Sequence, residues 1–255
     1  MVIPPPPRTP AATGSHFYRY ASFDHPERLE QLMLDHAIYI PSATQLNDLR
    51  DARPRLRPRP LGEWVALMKG LSPKGRGLAP PDEHARIIDS VASSIGIDGM
   101  LKIASQMAHD MMTKFRIYSM SKRWDNLSMW EWYGGKHAGY CLEFANTPQF
   151  FAPVREVVYD NSFVIDITDD AHGTANWLFY KSPDWSNEEE VRLVLPHRLG
   201  PFLKLPPEVL TRVILGKDMV STNADRIKEW GSKRVPPVPV VIARWDPFRL
   251  SLITD

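Results

Sequence analysis

The amino-acid sequence predicts an α+β domain built on short mixed or antiparallel strands, with a helical insertion. Apolar and polar residues alternate in several short segments, which is the period of a strand with one buried face. Amphipathic segments with helical spacing lie between them. The chain shows no internal repeat. We therefore expect a disordered tail at residues 1–15 and a single domain over residues 16–255.

The first elements follow a proline-rich start. Met1–Ser15 has the composition of a disordered, polyproline-like tail. Such a tail can be a ligand for a protein partner, although a flexible end is the commoner role. His16–Tyr20 alternates aromatic and polar residues and predicts the first strand. Pro26–Ala37 carries apolar residues at helical spacing and predicts an amphipathic helix, and Ile38–Ile40 predicts a short extended piece.

The middle of the chain predicts helices inserted into the domain. Arg50–Pro60 alternates arginines with prolines, which indicates a loop. The insertion, residues 61–113, is expected in three helical pieces. These pieces are Glu63–Leu71, Asp82–Ser94 and the methionine-rich Asp98–Thr113. Methionines at helical spacing are usually core residues.

From residue 115 onward, short strands predominate. The predicted strands are Phe115–Ser121, Tyr140–Phe144, Glu156–Tyr159 with a continuation at Ser162–Ile167, Val191–Leu195, Arg212–Leu215, Val238–Trp245 and Arg249–Ile253. The predicted helices are Asp125–Gly134, Thr174–Lys181 and Asn223–Ser232.

Composition excludes several classes of protein. The chain has 31 basic and 30 acidic residues, which argues against a strongly electrostatic nucleic-acid binder but not against a local basic patch. Cys141 is the only cysteine, so neither a disulfide framework nor a cysteine zinc site is expected. The start lacks a signal-peptide apolar region, and no apolar run approaches the ~20 residues of a membrane span. We expect a cytoplasmic protein without a membrane partner, and signal-independent export stays open.

The most informative segment is Lys181–Arg192, K-S-P-D-W-S-N-E-E-E-V-R, directly before an apolar strand. Strand periodicity puts Glu188, Glu190 and Arg192 on one face. Two carboxylates and a guanidinium on one face are costly in a core and useful in a ligand cleft. The alternative is a structural ion network in which Arg192 and Glu189 pair with the acids.

Other positions have side chains suited to a nucleotide. Arg19 lies between two tyrosines on the first strand, where a covered guanidinium needs a phosphate or carboxylate partner. An edge-strand surface arginine is the alternative. Ser119 and Ser121 share a strand face and can hold a ribose or orient a glutamate. Tyr133 precedes Gly134-Gly135, a backbone free to approach a ligand, and its ring can stack on a planar heterocycle.

Weaker signals come from a histidine, a turn and several acidic residues. His137 follows the glycine pair and can bind a phosphate or act as an acid or base, although a solvated loop histidine is commoner. Asn47-Asp48 is typical of a turn. The chain lacks the phosphate-loop, dinucleotide, zinc-protease and nucleophile-elbow motifs. A metal-dependent nuclease would need clustered acids, and those available are Asp48, Glu143, Glu188 and Glu190, which no local spacing requires to meet.

Taken together, these residues resemble a bacterial and phage family described as domain of unknown function 2971. The resemblance spans residues 16–216. Its residues are Tyr18-Arg19-Tyr20, Pro41-Ser42, Leu46-Asn47-Asp48, Ser119, Ser121, Asp125-Asn126, Met129-Trp130, Tyr133, Gly139–Phe144, Val158-Tyr159, Lys181, Trp185, Glu188, Glu190, Arg192 and Leu215-Gly216. Two features depart from it: Leu49-Arg50 stands where the family has proline and an aromatic, and residues 61–113 match no motif.

The order of an arginine, a Ser-x-Ser pair and a Glu-x-Glu pair on successive strands also resembles ADP-ribosyltransferases. That resemblance implies a split two-sheet core whose cleft holds NAD. It implies that Arg19 holds a phosphate or ribose of NAD. It implies that Ser119 and Ser121 orient the ribose and the catalytic acid, and that Tyr133 stacks on nicotinamide.

The same resemblance implies roles for the two acids. Glu190 would stabilise the oxocarbenium-like transition state electrostatically, and Glu188 would activate the acceptor as a general base. The expected function is therefore that of an NAD-dependent ADP-ribosyltransferase-like protein, with NAD as substrate, an unknown macromolecular acceptor and no metal. A toxin, effector or phage-defence component is the corresponding setting. The alternatives are a non-catalytic nucleotide- or protein-binding module and a metal-dependent nuclease.

Overall fold

The structure is a computed structural model that describes residues 12–46, 51, 60–71, 81–147, 153–161, 176–249 and 251–254. The α-helices are α1 (Pro26–Asp35), α2 (Leu61–Leu71), α3 (Pro81–Met112), α4 (Leu127–Trp132) and α5 (Ser221–Lys233). The strands are β1 (His16–Ala21), β2 (Ala37–Tyr39), β3 (Phe115–Ser121), β4 (Tyr140–Ala145), β5 (Arg155–Glu156), β6 (Val158–Tyr159), β7 (Tyr180–Lys181), β8 (Glu190–Pro196), β9 (Phe202–Lys204), β10 (Leu210–Leu215), β11 (Val240–Asp246) and β12 (Ser251–Thr254).

Eight strands form one hydrogen-bonded sheet in the order β12-β11-β10-β4-β1-β3-β8-β5. Its neighbours are antiparallel except for the parallel pair β10 and β11. Two further sheets have two strands each, β2 with β9 and β6 with β7. The α+β class with mixed strands is confirmed.

The sheet is covered on both faces, and successive residues of a strand contribute to opposite faces. On β4, Tyr140 and Leu142 lie in a core cluster with residues of α1 and α5. Cys141 lies in a second cluster with residues of α4. We call these the α1 face and the α4 face.

The sheet is nearly divided between β1 and β3. Their pairing consists of the single pair Tyr18 and Ser121, whereas β1 and β4 are paired along their whole length. Beyond that pair the two strands diverge. The freed edge of β3 is taken by the chain after β2, where the Ile117 amide donates to the Pro41 carbonyl at 3.0 Å. A gap therefore opens inside the sheet between β1 and β3.

Several local predictions differ from the structure. The strand predicted over Glu156–Tyr159 is two strands in separate sheets, because Glu156 pairs with β8 whereas Val158 and Tyr159 pair with β7. The helix predicted over Thr174–Lys181 is a 3-10 turn, Asn176–Phe179, followed by β7. The strand β9 was not predicted. The continuation at Ser162–Ile167 lies outside the described residues.

The predicted tail also differs where it can be described. Residues 1–11 lie outside the described part, but residues 12–15 are held against the domain. The Ala12 amide donates to the Val154 carbonyl at 3.1 Å, and the Thr13 hydroxyl donates to Glu156 at 3.0 Å. These hydrogen bonds fix the chain just before β1.

The insertion is helical, as its pattern predicts. Helices α2 and α3 pack on each other through a small core that contains Trp64 and Met100. Gly96, with φ of 63°, interrupts the helical geometry of α3 between the two pieces predicted there. Among the described residues, none of the helices combines the length and apolar character needed to cross a bilayer.

Candidate functional site

A cavity of about 130 Å³ lies where β1 and β3 diverge. Five residues predicted to form a site line it together: Arg19, Ser119, Tyr133, Glu188 and Glu190. They come from β1, β3, the end of α4 and the start of β8. The acids form one wall, so we call this space the carboxylate cavity. The gap in the sheet thus brings together groups that are far apart in the sequence.

Lys181 lies at the centre of the acidic wall. Its Nζ is 2.6 Å from Glu188 Oε2, 3.1 Å from Glu190 Oε2 and 3.5 Å from Asp51 Oδ2. The ammonium also lies 5.2 Å from the centre of the Trp185 ring. All three carboxylates are buried, so a cation between them removes much of their mutual repulsion.

Arg192 completes this wall from beneath the cavity and is fully buried. Its Nε is 2.7 Å from Glu190 Oε1, and its Nη2 is 2.6 Å from Asp51 Oδ1. Its Nη1 donates to the Leu178 carbonyl at 2.5 Å. The predicted alternative of an ion network is therefore partly correct: Arg192 pairs with Glu190. Glu189 instead lies outside, 3.5 Å from Arg123.

The two glutamates have opposite pKa shifts. Burial alone would raise the pKa of Glu190, but the charges of Arg192 and Lys181 and hydrogen bonds from Arg192 and Ser119 lower it to about 2. Burial and the nearby Glu190 charge raise the pKa of Glu188, despite its contact with Lys181. The difference arises because two cations face Glu190 and only one faces Glu188. Two acids whose environments shift their pKa values in opposite directions are suited to different roles.

A turn, and not strand periodicity, aligns these two side chains. Glu188 ends a 3-10 turn, Pro183–Glu188, and Glu189 then adopts φ of 45° before β8 begins. A non-glycine residue in this region is strained by about 1 kcal/mol or more. The Ser121 hydroxyl donates to the Glu188 carbonyl at 2.8 Å and secures the turn.

Tyr133 lines the carboxylate cavity beside the acidic wall. Its hydroxyl donates to Glu188 Oε1 at 2.8 Å. Helix α4, whose C-terminal end carries Tyr133, is capped by Asn126, whose side chain accepts from the Met129 amide. The Asn126 amide group also donates to the Asn187 carbonyl at 2.5 Å. Asn126 thereby connects helix α4, which ends at Tyr133, to the turn that carries Glu188.

Arg19 spans the gap in the sheet. Its Nη1 donates to the Ser119 carbonyl at 2.7 Å, and its guanidinium lies 5.2 Å from the centre of the Tyr118 ring. Its partner is thus a backbone carbonyl and an aromatic face. No carboxylate is paired with it within the described part of the chain.

Two predicted site residues are not in the cavity lining. Ser121 is fully buried, and its hydroxyl donates to the backbone carbonyl of Glu188, so it positions the acid-bearing turn; a contact with a ligand stays a prediction. His137 stacks on Trp130, with ring centres 6.2 Å apart, and its carbonyl accepts from the Asp218 amide. His137 therefore packs within the loop after α4, and its predicted contact with a ligand stays a prediction.

The described acids among those proposed for a metal site do not assemble as one. Asn47-Asp48 lies outside the described residues. Glu143 is paired with Arg212 at 2.5 Å on a neighbouring strand pair. Within the described ranges, no group of three or more metal-ligating side chains is arranged to hold a metal ion.

Sequence reasoning missed two residues of the site, Lys181 and Asp51. Lys181 lies in a segment predicted as helix, and Asp51 lies in an arginine- and proline-rich loop. One signal was available: Arg192 stands in an apolar strand, and a buried guanidinium requires an acidic partner. This signal does not identify the acid, because Asp51 lies 141 residues from Arg192 in the sequence.

Comparisons with known proteins give no match, whether with family models, with curated proteins or with solved structures.

Proposed function

We propose that this protein uses NAD as a substrate and breaks its nicotinamide–ribose bond in the carboxylate cavity, as an ADP-ribosyltransferase does. The observation that carries the proposal is the pair of buried glutamates with opposite pKa shifts in one cavity, facing Arg19 and Tyr133. Perturbed acids that share a cavity are typical of catalytic sites.

The size of the cavity fits one ring of the substrate. A cavity of about 150 Å³ holds a benzene molecule, and the carboxylate cavity has about 130 Å³. The nicotinamide ring matches that size, and Tyr133 supplies an aromatic wall for it. The remainder of NAD would lie towards Arg19, whose guanidinium suits a phosphate or ribose oxygen.

The charge of the acidic wall suits the reaction. Three carboxylates (Asp51, Glu188 and Glu190) and two cations (Lys181 and Arg192) leave one net negative charge when every group is ionised. Breaking the glycosidic bond develops positive charge on the ribose. A preorganised negative wall that excludes water stabilises that charge.

The proposed reaction exchanges one bond to the ribose for another. The bond between ribose C1 and the nicotinamide nitrogen breaks, and its electron pair neutralises the pyridinium. An oxygen or nitrogen of the acceptor forms the new bond to C1 and loses its proton. Glu188 takes that proton, because its raised pKa makes it the better base of the two acids. Glu190 stays ionised and holds Lys181 and Arg192 in place.

The sheet supports the same interpretation. A core in which two half-sheets diverge around a cleft is what the resemblance to ADP-ribosyltransferases implies. The eight strands form one hydrogen-bonded sheet, and the single residue pair between β1 and β3 supports the proposal that its two halves border a cleft. Membership of the domain of unknown function 2971 family is a further proposal, which rests on the residues that carry that resemblance.

The experiment measures nicotinamide release from NAD by the wild-type protein with a mixture of protein and nucleic-acid acceptors, with and without a chelator. We expect release that the chelator does not change. Glu188→Gln should lower it by about 10²- to 10⁴-fold, the usual contribution of a general base. Glu189→Gln is the matched control, since its side chain lies outside the cavity. Wild-type rates in Glu188→Gln would exclude the proposed role.

A second function is favoured by the closed ion network. Glu190 is fully engaged by Arg192, Lys181 and Ser119, which is the arrangement of a rigid wall. The alternative is a non-catalytic module that binds a nucleotide or a protein in the same cavity. It predicts saturable NAD binding, measured by calorimetry, with no nicotinamide released under any of the conditions above.

A further inference from the structure

A second cavity lies behind Arg19 on the α1 face. It has about 100 Å³, and its lining includes Arg28, Tyr118 and Tyr140. Arg19 and Pro41 line both this space and the carboxylate cavity. We call it the arginine cavity. The two cavities thus meet at the gap between β1 and β3.

The arginine cavity contains two hydroxyls that can donate to a ligand. Tyr118 and Tyr140 are each 5% exposed and line the cavity. Each hydroxyl can donate one hydrogen bond. They therefore supply neutral donors beside the arginines.

Two guanidinium groups face the same space. Arg19 lies 5.2 Å from the centre of the Tyr118 ring, and Arg28 lies 4.2 Å from the centre of the Tyr39 ring at the mouth of the cavity. Neither arginine is paired with a carboxylate among the described residues. The positive charge of both reaches Tyr140, whose pKa is raised by burial to about 12 even though Arg19 and Arg28 lower it.

We propose that the arginine cavity binds a phosphoryl group, held by Arg19, Arg28 and the hydroxyls of Tyr118 and Tyr140. Two guanidinium charges match a phosphate dianion, and donors from four residues match its several terminal oxygens better than the two oxygens of a carboxylate. The arginine cavity has about 100 Å³, which equals the volume of about three water molecules in the liquid at about 30 Å³ each. This volume suits one small anion such as a phosphoryl group.

The anion site does not depend on the reaction at the carboxylate cavity. If the proposed function also holds, Arg19 places the phosphoryl group of the substrate on one side of the sheet and its glycosidic bond on the other. Binding of inorganic phosphate tests the site without any NAD, so failure here and failure of NAD turnover are separate results.

The experiment is calorimetric titration of the whole protein with inorganic phosphate and, separately, with acetate. Phosphate should bind saturably and acetate more weakly. Arg28→Gln should weaken phosphate binding about tenfold, and Tyr140→Phe about threefold or more, since each removes a hydrogen bond to a charged ligand.

Arg226→Gln is the matched control, because Arg226 also lies over an aromatic ring, that of Trp230 at 4.6 Å, but outside the arginine cavity. Its phosphate affinity should equal that of the wild type. The proposal is overturned if phosphate does not bind at millimolar concentration, or if acetate binds as tightly. It is also overturned if Arg28→Gln has no more effect than the control.

Discussion

Replacing each glutamate of the carboxylate cavity by glutamine should separate their contributions to stability. The two substitutions are nearly isosteric and lie two residues apart in the sequence. Glu190 has a pKa lowered from 4.5 to about 2, so folding favours its ionised form. Each pKa unit is worth about 1.4 kcal/mol, which gives about 3 kcal/mol at neutral pH. Removing one partner from a buried ion pair costs a similar amount, about 3–5 kcal/mol.

Glu188 should behave differently. Its pKa is raised by burial and by Glu190, so folding does not favour its ionised form as it does for Glu190. A neutral glutamine at this position still accepts the hydrogen bond from Tyr133. We expect Glu188→Gln to change the free energy of unfolding by less than about 1 kcal/mol, and the exposed control Glu189→Gln to do the same.

Urea unfolding followed by tryptophan fluorescence measures both effects, since the chain has 8 tryptophans. Because the folded pKa of Glu190 is depressed, its contribution is present above pH 4.5 and is lost as the pH falls towards 2. The difference between wild type and Glu190→Gln should therefore shrink by more than half at about pH 3. Equal unfolding free energies for wild type and Glu190→Gln, or an equal loss in Glu188→Gln, would refute this reasoning.

Three further predictions follow from the structure. The acid limb of NAD turnover against pH should lie above pH 4.5, because burial raises the pKa of Glu188; a limb at or below 4.5 in the kcat/KM profile contradicts this. Arg192→Met should lower the free energy of unfolding in urea by about 3–5 kcal/mol, since it removes the buried guanidinium that pairs with Asp51 and Glu190. An unchanged free energy of unfolding contradicts this prediction. Gly139→Ala should lower Tm strongly in a thermal melt, because its Cβ would lie 2.2 Å from a backbone carbonyl. Gly62→Ala, whose Cβ would have nothing within 4 Å, should raise Tm slightly; equal Tm values for the two variants contradict the packing argument.

The sequence predicted the elements whose periodicity is local. The patterns of β1, β3, β4 and β8 indicate the strands within a residue or two of their bounds, because these short segments are rich in apolar residues. Segments without a clear period were predicted less well. The segment Asn176–Lys181 buries Trp177, Leu178 and Phe179 in succession, which fits neither a helix nor an alternating strand.

The site shows the same limit. The pair Glu188 and Glu190 could be predicted to share a face because they lie two residues apart, although a turn produces the alignment. Asp51 could not be predicted, because its contact with Arg192 depends on how two remote segments meet. The gap between β1 and β3 is a property of pairing between strands, and no single-strand pattern encodes it.

A crystal structure of the protein soaked with nicotinamide tests the central claim most directly. We expect the ring inside the carboxylate cavity, against Tyr133 and close to Glu188 and Glu190. Nicotinamide bound at a different place, with the carboxylate cavity unchanged, would contradict it.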